Sequence, residues 1–297
     1  MASQAKLSRI AINQILFATD FSLESEKALH FATSMARRYG SNLTVTHVVP
    51  KDGPLVVGDT CPDSLPMSEE LAQQEAEQKM SKLDRLEELH ALPHDTAIAS
   101  GDAGDAILQV ALGKNIDLIV MGTHGYGATK KLFLGSTAEK VIRHAVCPVL
   151  TVGPHVSLLS TNWFKHILYA TDFSSGSTRA LAYALSLAEE DRAELTLLHV
   201  IESKPMSEGE LMDWRQQHHE HLARMVPTDV DLASKAEIEI ETGTPHVEIL
   251  RLGQTRNADL IVMGSHAGGA ASTHVPWTTL HHVLQHAHCP VLTVHGR

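Results

Sequence analysis

The chain contains an internal duplication, and this feature constrains its fold more than any other. The stretch "ILFATDFS" at 15–22 returns as "ILYATDFS" at 167–174. Three further stretches, "LTVTHVV", "IDLIVMGTHG" and "HAVCPVLTV", recur in the same order as "LTLLHVI", "ADLIVMGSHA" and "HAHCPVLTV". Ordered matches of this kind indicate a repeated structural unit. We therefore predict two homologous domains, over residues 1–153 and 162–297, here called the first and second copy.

The spacing between the matched stretches shows where the copies differ in length. The offset is 152 residues for the two upstream pairs and 142 for the two downstream pairs. The first copy thus carries about ten extra residues between them. They fall in "PKDGPLVVGDTCPDSLP", whose Pro, Gly and Asp content predicts a loop.

Within each copy, short β-branched runs alternate with segments of helical period, which predicts the order βαβαβαβαβ. Runs such as "DLIVMG" are apolar on both faces, as in a parallel sheet covered by helices. Right-handed crossovers then favour a Rossmann-like, doubly wound, five-stranded sheet of order 3-2-1-4-5. In the first copy we predict strands at 13–19, 42–49, 94–100, 116–121 and 148–152, and helices at 22–39, 68–91, 103–114 and 136–145. In the second copy we predict a helix at 207–225.

Composition excludes several classes of function. The chain has 24 Lys and Arg against 35 Asp and Glu, a net charge of −11, and no basic run. We therefore expect no bulk nucleic-acid binding and no attraction to anionic membranes. No apolar segment reaches the ~20 residues of a membrane span, and the N-terminus lacks a signal-peptide pattern. The three cysteines show no disulfide-framework or zinc spacing, so we expect a cytoplasmic protein.

The segment "GTHGYGATKKLFLGST" at 122–137 follows the fourth predicted strand. In the predicted strand order, strands 1 and 4 are neighbours at the point where the winding reverses, and ligands bind outside this edge. Glycines there allow positive φ and close backbone approach, and Gly135-Ser136-Thr137 opens a helix with unpaired N–H groups. Lys130 and Lys131 could add positive charge. This combination favours phosphate binding, opposite the strand end at Asp20.

A purely structural interpretation of this segment stays open. Gly122 and Gly125 could serve only in a tight turn, and Ser136 could serve only as a helix N-cap. The segment also lacks the P-loop pattern, and "GYGATK" is not a G-x-G-x-x-G that opens a helix directly. We therefore expect neither a P-loop enzyme nor a standard dinucleotide-binding fold.

Gly122-x-x-Gly125, nine residues and Gly135-Ser136 resemble the G-2x-G-9x-G-[S/T] signature of the universal stress protein family. The resemblance covers both copies and implies a fold like that of the adenine nucleotide alpha hydrolases. It implies ATP, with Mg²⁺ or Mn²⁺ among the phosphates. The adenine and ribose would lie near Ala18, Thr19, Asp20 and Val48, and the phosphates near Gly122, His124, Gly125, Gly135, Ser136 and Thr137. It also implies dimers formed partly through the last strand, "CPVLTV", so the copies would form an intramolecular pseudo-dimer, with a homodimer of whole chains also open.

The second copy departs from this signature. Ala267 replaces the second glycine, and Trp277-Thr278 replaces the Gly-Ser pair. A tryptophan prevents close approach of the backbone to a phosphate, and Pro276 stiffens the turn. We expect one nucleotide per chain, in the first copy. A second site stays open, built from Thr171, Asp172, Val200, Gly264 and His266.

Twenty histidines are present, many of them in the second copy. His218 with His221, and His282 with His286, stand three and four residues apart, a spacing suited to zinc. The alternative is a solvated polar helix face. For His47 and His199, late in the second strand of each copy, we expect interior hydrogen-bonded rings rather than general bases. Buried packing roles are expected for Cys147 and Cys289, and a surface thiol for Cys61.

Three functions follow as hypotheses. The first is an ATP-binding stress-response or regulatory protein without efficient chemistry, whose nucleotide tunes stability or the binding of an unknown protein partner. The second is a slow metal-dependent ATP hydrolase, with Asp20 or His124 placing a metal or a water molecule. The third is a histidine-rich, metal-responsive scaffold with a vestigial nucleotide site.

Overall fold

A computed structural model of the chain describes residues 10–51, 69–123, 134–157, 164–202, 207–266 and 277–296. The contacts divide the chain into two compact units. One is Ile12–Val149, and the other combines Met1–Ala11 with Leu150–Arg297. Most of the extra loop, including Cys61, lies outside the described residues, as does the segment 124–133.

The first copy has the predicted alternation of strands and helices. Its sheet has the order β3-β2-β1-β4-β5, which confirms the predicted 3-2-1-4-5 arrangement, and the strand pairs β1–β2, β2–β3 and β1–β4 are parallel. The elements are β1 (Gln14–Ala18), α1 (Leu23–Tyr39), β2 (Asn42–Val49), α2 (Glu69–Asp84), α3 (Glu87–His90), β3 (His94–Ser100), α4 (Ala103–Gly113), β4 (Leu118–Gly122), α5 (Ser136–His144) and β5 (Val149–Val152).

The second copy repeats this topology with the strand order β8-β7-β6-β9-β10. The predicted helix at 207–225 is present as α7, which begins after a capping box in which Ser207 and Glu210 bond each other's backbone N–H groups. The elements are β6 (His166–Thr171), α6 (Ser175–Asp191), β7 (Glu194–Glu202), α7 (Glu208–Met225), β8 (Glu237–Gly243), α8 (Pro245–Thr255), β9 (Leu260–His266), α9 (Trp277–His286) and β10 (Val291–Gly296).

The single helix predicted at 68–91 is wrong, because the structure divides it into α2 and α3. Leu86 adopts an extended conformation, with φ −67° and ψ 137°, and so ends the helical path. After this break the side chain of Leu89 is fully buried in the core, and Leu92 is buried as well. Arg37 in α1 donates a hydrogen bond to the carbonyl of Glu88 at 2.6 Å. Burial of Leu89 therefore outweighs the helical propensity of this polar segment.

The core of each copy lies on both faces of its central strands. Every residue of β6 is buried, as are all residues of β1 except Gln14. Cys147 and Cys289 are buried as predicted, and burial raises the pKa of these thiols to about 11 and about 12. Among the described helices, none combines the length and apolarity that a bilayer crossing requires.

Candidate functional site

Three strand ends meet at the predicted site of the first copy. Ala18, the last residue of β1, is in register with Thr46 of β2 and with Met121 of β4. The N–H of Thr19 donates to the carbonyl of Thr46 at 2.9 Å. The structure therefore brings Ala18, Thr19 and Asp20 to the same edge of the sheet as Gly122, with Val48 following Thr46 along β2.

A tight turn after β1 orders the polar groups of this edge. Phe21 has a φ of 62°, a left-handed conformation that a bulky side chain rarely adopts. The Thr19 hydroxyl accepts from the N–H of Phe21 at 2.9 Å, and Asp20 Oδ1 accepts from the N–H of Ser22 at 3.0 Å and from its hydroxyl at 2.5 Å. Ser22 in turn caps α1 by accepting from the N–H of Ser25. This network holds a strained turn, a feature that clusters at functional sites.

Gly122 does not adopt the positive φ that its glycine allows. It is not among the described glycines with positive φ. A Cβ at this position would lie 3.2 Å from the carbonyl carbon of Glu24 and 3.2 Å from the N–H nitrogen of Ser25. The first turn of α1 thus packs closely against β4 at this glycine, whereas a left-handed conformation of Gly122 is not present.

The first backbone N–H groups of α5 lie outside its helical hydrogen-bond ladder. Gly135 is the N-cap residue, and no side chain caps this helix within the described part of the chain. The N–H of Gly135 donates to the carbonyl of Thr123 at 2.8 Å, and the first helical bond runs from Glu139 N to Gly135 O. Ser136 is therefore not the N-cap, and the N–H groups of Ser136, Thr137 and Ala138 precede the helical hydrogen-bond ladder. His124, Gly125, Lys130 and Lys131 lie outside the described residues.

His47 lies beside the strained turn as an interior ring. Its Nδ1 is 2.8 Å from the carbonyl oxygen of Thr19, and its ring centroid is 4.5 Å from that of Phe21. Burial lowers the pKa of His47, and the bond to Thr19 opposes this shift only in part. The ring is therefore neutral at pH 7, with Nδ1–H donating to the carbonyl. Lys79 of α2 lies 5.7 Å from the centroid of the Phe21 ring.

Thr46 carries a buried hydroxyl without a partner among the described residues. Its counterpart in the second copy, at an offset of 152, is Leu198. A buried hydroxyl that lacks a hydrogen bond is unfavourable by about 1–3 kcal/mol, so such groups require an explanation. The Thr46 hydroxyl is thus a buried polar atom on β2, in register with the end of β1.

The second copy repeats the backbone turn, with one change in the hydroxyl that donates to the aspartate. Phe173 has a φ of 62°, Thr171 accepts from its N–H at 2.9 Å, and Asp172 accepts from the N–H of Ser174 at 3.1 Å and from the hydroxyl of Ser177. A Cβ at Gly264 would lie within 2.7 Å of Ser177 Cα and closer to other backbone atoms of α6. The two copies therefore share the geometry of the turn and the close approach of helix to strand.

A cavity of about 340 Å³ opens at this edge of the second copy. Four of the five residues predicted for a second site line it, namely Thr171, Asp172, Val200 and Gly264. His266 ends β9 and Trp277 begins α9. The remaining walls come from β6 and β7, from α7 and from the region of α8: Ala170, Phe173, Ser177, Leu198, His199, Ile201, Glu202, Trp214, His218, Pro245, Ile249 and Met263.

The histidines of the second copy form two groups of ring contacts. His221 stacks on Phe173 with centroids 4.4 Å apart and an interplanar angle of 5°, and His218 lies 4.6 Å from His199. His282 stacks on His246 at 4.3 Å and is followed by His286 at 6.2 Å. In the part of the chain that the structure describes, no three His, Cys, Asp or Glu side chains are arranged to hold a metal ion. His218 and His282 are partly buried, whereas His221 and His286 are exposed.

The model of the universal stress protein family matches the chain twice, over residues 11–153 and 164–295. The chain belongs to the universal stress protein family. Its two matched segments make it a tandem member.

Relatives match this universal stress protein both by copy and over its whole length. A universal stress protein of Thermus aquaticus is 37% identical over 141 residues, which are 46% of this chain and 96% of that protein. One from Mycolicibacterium smegmatis is 27% identical over 304 residues, covering 95% of this chain and 97% of that protein. The crystal structure of a universal stress protein from Archaeoglobus fulgidus has a TM-score of 0.71 at 22% identity, covering 97% of this chain and all of that one. The similarity to the Archaeoglobus fulgidus structure shows the fold of this chain.

Several residues of this universal stress protein site escaped the sequence analysis. They are Phe21 and Phe173 at positive φ, Ser25 and Ser177 beneath the turn, and the hydroxyl of Thr46. A signal for the first four exists, because "FSLES" at 21–25 and "FSSGS" at 173–177 repeat Phe, Ser and Ser at the same spacing. No comparable signal marks Thr46, because the second copy has leucine there.

Proposed function

We propose that this universal stress protein is a regulatory protein that binds ATP in its first copy. Nucleotide binding stabilises one conformation of the chain, and a protein partner recognises that conformation. In this proposal, ATP binding sets the conformation that the partner recognises, and ATP dissociation ends it. Efficient ATP hydrolysis is not required.

The beginning of α5 is the observation that carries this proposal. A helix N-terminus with free N–H groups and no side-chain cap attracts anions, because the dipole and the unpaired donors act together. Gly135 lies close to the Thr123 carbonyl, where a Cβ would come within 3.2 Å of the oxygen. The hydroxyls of Ser136 and Thr137 would add donors suited to phosphate oxygens. Since β4 leads to this helix from the switch point of the sheet, a triphosphate bound there would have its nucleoside near β1 and β2.

The nucleoside end fits the groups at the ends of these strands. Thr46 has a buried hydroxyl without a partner among the described residues, and Asp20 supplies a carboxylate beside the strained turn. A hydroxyl can donate to a ring nitrogen of adenine, whereas a carboxylate accepts from the amino group or from the ribose hydroxyls. Mg²⁺ or Mn²⁺ would bind chiefly to phosphate oxygens, with Asp20 as the neighbouring carboxylate, and would neutralise part of the phosphate charge.

The first experiment measures bound nucleotide directly. Freshly purified protein is denatured, and the released nucleotide is identified by chromatography with its molar ratio to the chain. About one ATP per chain is expected. Two per chain would contradict the assignment to the first copy alone, and none, together with no ATP-induced rise in melting temperature, would contradict nucleotide binding.

Matched variants then locate the site by calorimetry with ATP. Ser136→Ala should weaken ATP binding by at least about tenfold, because a hydrogen bond to a charged phosphate contributes about 1.5–3 kcal/mol. Thr46→Val should weaken it about fivefold, since it removes only the hydroxyl and keeps the shape of the side chain. Thr278→Ala, at the position matched to Ser136 in the second copy, is the control and should leave the affinity unchanged. Equal losses in all three variants would overturn the assignment.

Slow hydrolysis makes a different prediction and is tested separately. Under single-turnover conditions with Mg²⁺, hydrolysis would convert bound ATP to ADP at a rate that falls in Asp20→Asn while binding persists. In the regulatory proposal, ATP is recovered intact from both proteins after many dissociation times.

A further inference from the structure

We propose that α7 is a pH-responsive cover of the second copy, attached to the sheet at pH 7 and released when histidine rings at the contact become protonated. The contact contains five side-chain rings, here called the ring cluster: Phe173, His199, Trp214, His218 and His221. This inference goes beyond the proposed function, because it concerns the second copy and requires no nucleotide.

The apolar attachment of α7 is weak. Leu222 is the buried residue among the 18 of this helix, while Met212 and Trp214 are 74% and 48% exposed. Arg215 donates to the hydroxyl of Thr242 in β8 at 3.3 Å, a long hydrogen bond at an exposed position. Helices in proteins are held mainly by burial of an apolar face. The attachment of α7 therefore depends strongly on the ring cluster.

The ring cluster joins α7 to the ends of two strands. Phe173, in the turn after β6, lies 4.4 Å from His199 of β7, measured between ring centroids. From α7, His221 stacks on Phe173 at 4.4 Å with an interplanar angle of 5°. His218 lies 4.6 Å from His199 and 5.3 Å from Trp214. Three of the five rings are imidazoles, so the charge of this contact changes with pH.

The first copy attaches its covering helix in a different way. At the offset of 142, the three ring-cluster residues of α7 match small or charged residues of α2: Trp214 with Ala72, His218 with Ala76 and His221 with Lys79. Ala72 and Ala76 are buried in one core cluster with Val49 of β2, and Met80 is buried one turn further on. Apolar burial, which does not titrate, thus holds α2.

The residue matched to His221 shows the difference in charge. The phenylalanine–histidine pair of the ring cluster recurs in the first copy as Phe21 and His47, with centroids 4.5 Å apart. The ammonium of Lys79 lies 5.7 Å from the centroid of the Phe21 ring. A lysine stays charged between pH 5 and pH 8, whereas a histidine changes its charge in this range. The second copy therefore has a titrating group where the first copy has a permanent cation.

The rings of His199 and His218 are neutral at pH 7. Burial, with smaller contributions from His218 and His221, lowers the pKa of His199 to about 4, although the Thr171 carbonyl opposes the shift. Burial and the neighbouring His221 lower the pKa of His218 as well. Nδ1 of His199 lies 2.9 Å from the carbonyl oxygen of Thr171, so the proton of the neutral ring is on this nitrogen.

Charged groups on the neighbouring elements modify this response. Asp172, in the turn after β6, raises the pKa of His199, but its effect is smaller than that of burial. Glu202, at the end of β7, lines the same cavity as His199 and His218, and Arg215 is the cation of α7 that bonds to β8. The glutamates of β8 pair with arginines: Glu237 and Glu239 with Arg256, and Glu241 with Arg251. Carboxylates near the rings reduce the response to acid, while burial decides its sign.

Protonation of the attached rings is unfavourable, so acid should release α7. The pKa of His199 in the folded chain, about 4, is below the ordinary value of 6.5. Its contribution to the attachment is therefore fully present above pH 6.5 and is lost as the pH falls from 6.5 towards 4. Once both rings are charged, His199 and His218 also repel each other across 4.6 Å. Release of α7 exposes both rings to water and removes both costs.

Hydrogen exchange read by mass spectrometry tests this inference on the full chain at pH 7.5 and pH 5.0, with exchange times corrected for the intrinsic effect of pH on amides. The protection of α7 should be about tenfold lower at pH 5.0 than at pH 7.5, because release exposes His199 and His218. The protection of α2 should change less. At pH 5.0, β6 and β7 should still be protected after α7 has exchanged, because release precedes unfolding of the copy.

Variants assign the response to the ring cluster. The double change His199→Asn with His218→Gln should make the protection of α7 equal at the two pH values to within about twofold. The ratio of the two protections is the readout, because a loss of packing alone lowers both and leaves their ratio unchanged. His219→Gln is the control, since His219 is exposed on the same helix and outside the ring cluster. This variant should keep the tenfold ratio of the unchanged protein.

Three results would overturn this inference. They are equal protection of α7 at both pH values in the unchanged protein, simultaneous exchange of α7 and β6 at pH 5.0, and a ratio in the double variant as large as in the unchanged protein. Circular dichroism at both pH values verifies that each variant is folded.

Discussion

The helices α2 and α7 cover the same place on the two copies of one fold, but they do so with opposite packing. Three of the 16 residues of α2, Ala72, Ala76 and Met80, are buried, whereas Leu222 is the buried residue of the 18 in α7. Alanine allows α2 to approach the sheet, while Trp214 and His218 leave a cavity beneath α7. The strained turns at Phe21 and Phe173 are nevertheless alike. The comparison teaches that the duplicated strand ends keep one geometry while the two covering helices differ in the residues that they bury.

The largest expected difference between the copies is in the stability lost when alanine replaces the glycine at which a helix contacts a strand. Gly264→Ala should destabilise the second copy by about 3 kcal/mol or more, because the new Cβ would overlap backbone atoms of Gly176 and Ser177 that cannot move alone. Gly122→Ala should destabilise the first copy by about 1 kcal/mol, since its nearest contacts are 3.2 Å away. Urea unfolding, with hydrogen exchange to assign each transition to a copy, measures both values. Equal losses would show that the two helix–strand contacts are equivalent.

Substitutions that exchange matched residues of α2 and α7 test the packing difference between these helices. Ala76→His should destabilise the first copy by about 1–3 kcal/mol, because a ring is forced into the closed contact with Val49. The reverse change, His218→Ala, should lower stability by less than about 1 kcal/mol, because His218 is only partly buried and already borders a cavity. The urea midpoints of the two variants provide the measurement. A larger loss in His218→Ala would contradict this packing difference between α2 and α7.

Acid should weaken the second copy more than the first. Burial, together with His218 and His221, lowers the pKa of His199 to about 4, below the ordinary value of 6.5 in the unfolded chain. The folded state therefore prefers the neutral ring, so this stability is present above pH 6.5 and is lost as the pH falls from 6.5 towards 4. With allowance for partial exposure, the loss at pH 5 should be about 1–2 kcal/mol.

The control for this pH dependence lies in the first copy. The pKa of His47 is also lowered by burial, with Lys79 as the neighbouring cation in place of histidines. His199→Asn should flatten the pH dependence of the second unfolding transition, and His47→Asn should act on the first. A second transition as steep in His199→Asn as in the unchanged protein would assign the acid sensitivity to other groups.

The smallest expected effect concerns the beginning of α7. Ser207→Ala removes the side chain that accepts from the N–H of Glu210 and should destabilise the helix by about 1 kcal/mol. Because α7 buries so little apolar surface, its amides should exchange faster than those of α2 even in the unchanged protein, and faster again in the variant. Hydrogen exchange read by mass spectrometry compares the two helices. Slower amide hydrogen exchange in α7 than in α2 would contradict the expectation that α7 is the less stable helix.

Much of the fold was predictable because it rests on local patterns repeated twice. The apolar runs "ILFATD" and "DLIVMG" predict central parallel strands, and the matched order of elements predicts 3-2-1-4-5 winding, which the structure confirms. The prediction failed for the helix at 68–91, where burial of Leu89 overrides helical propensity. It also failed for the conformation of Gly122, because the need for glycine there comes from the backbone of α1 and not from a turn.

The candidate site was predictable only in part. The positions of Asp20, Gly122 and Gly135 follow from the strand order, since it determines which strand ends are neighbours. The unpaired hydroxyl of Thr46 and the cavity beside Trp214 could not be predicted. They depend on how closely a helix packs onto the sheet, and side chains distant in the sequence determine that distance.

The sequence by itself determined the duplication, the family, the parallel topology and the edge of the sheet where a ligand would bind. Each of these depends on periodicity and motif spacing, which are local properties of the chain. Only the tertiary structure decided that Phe21 and Phe173 occupy strained turns, that the first turn of α5 has open donors and that the second copy contains a cavity. These features arise from packing between segments far apart in sequence, where a few ångströms decide whether a space is closed by alanine or left open to a ligand.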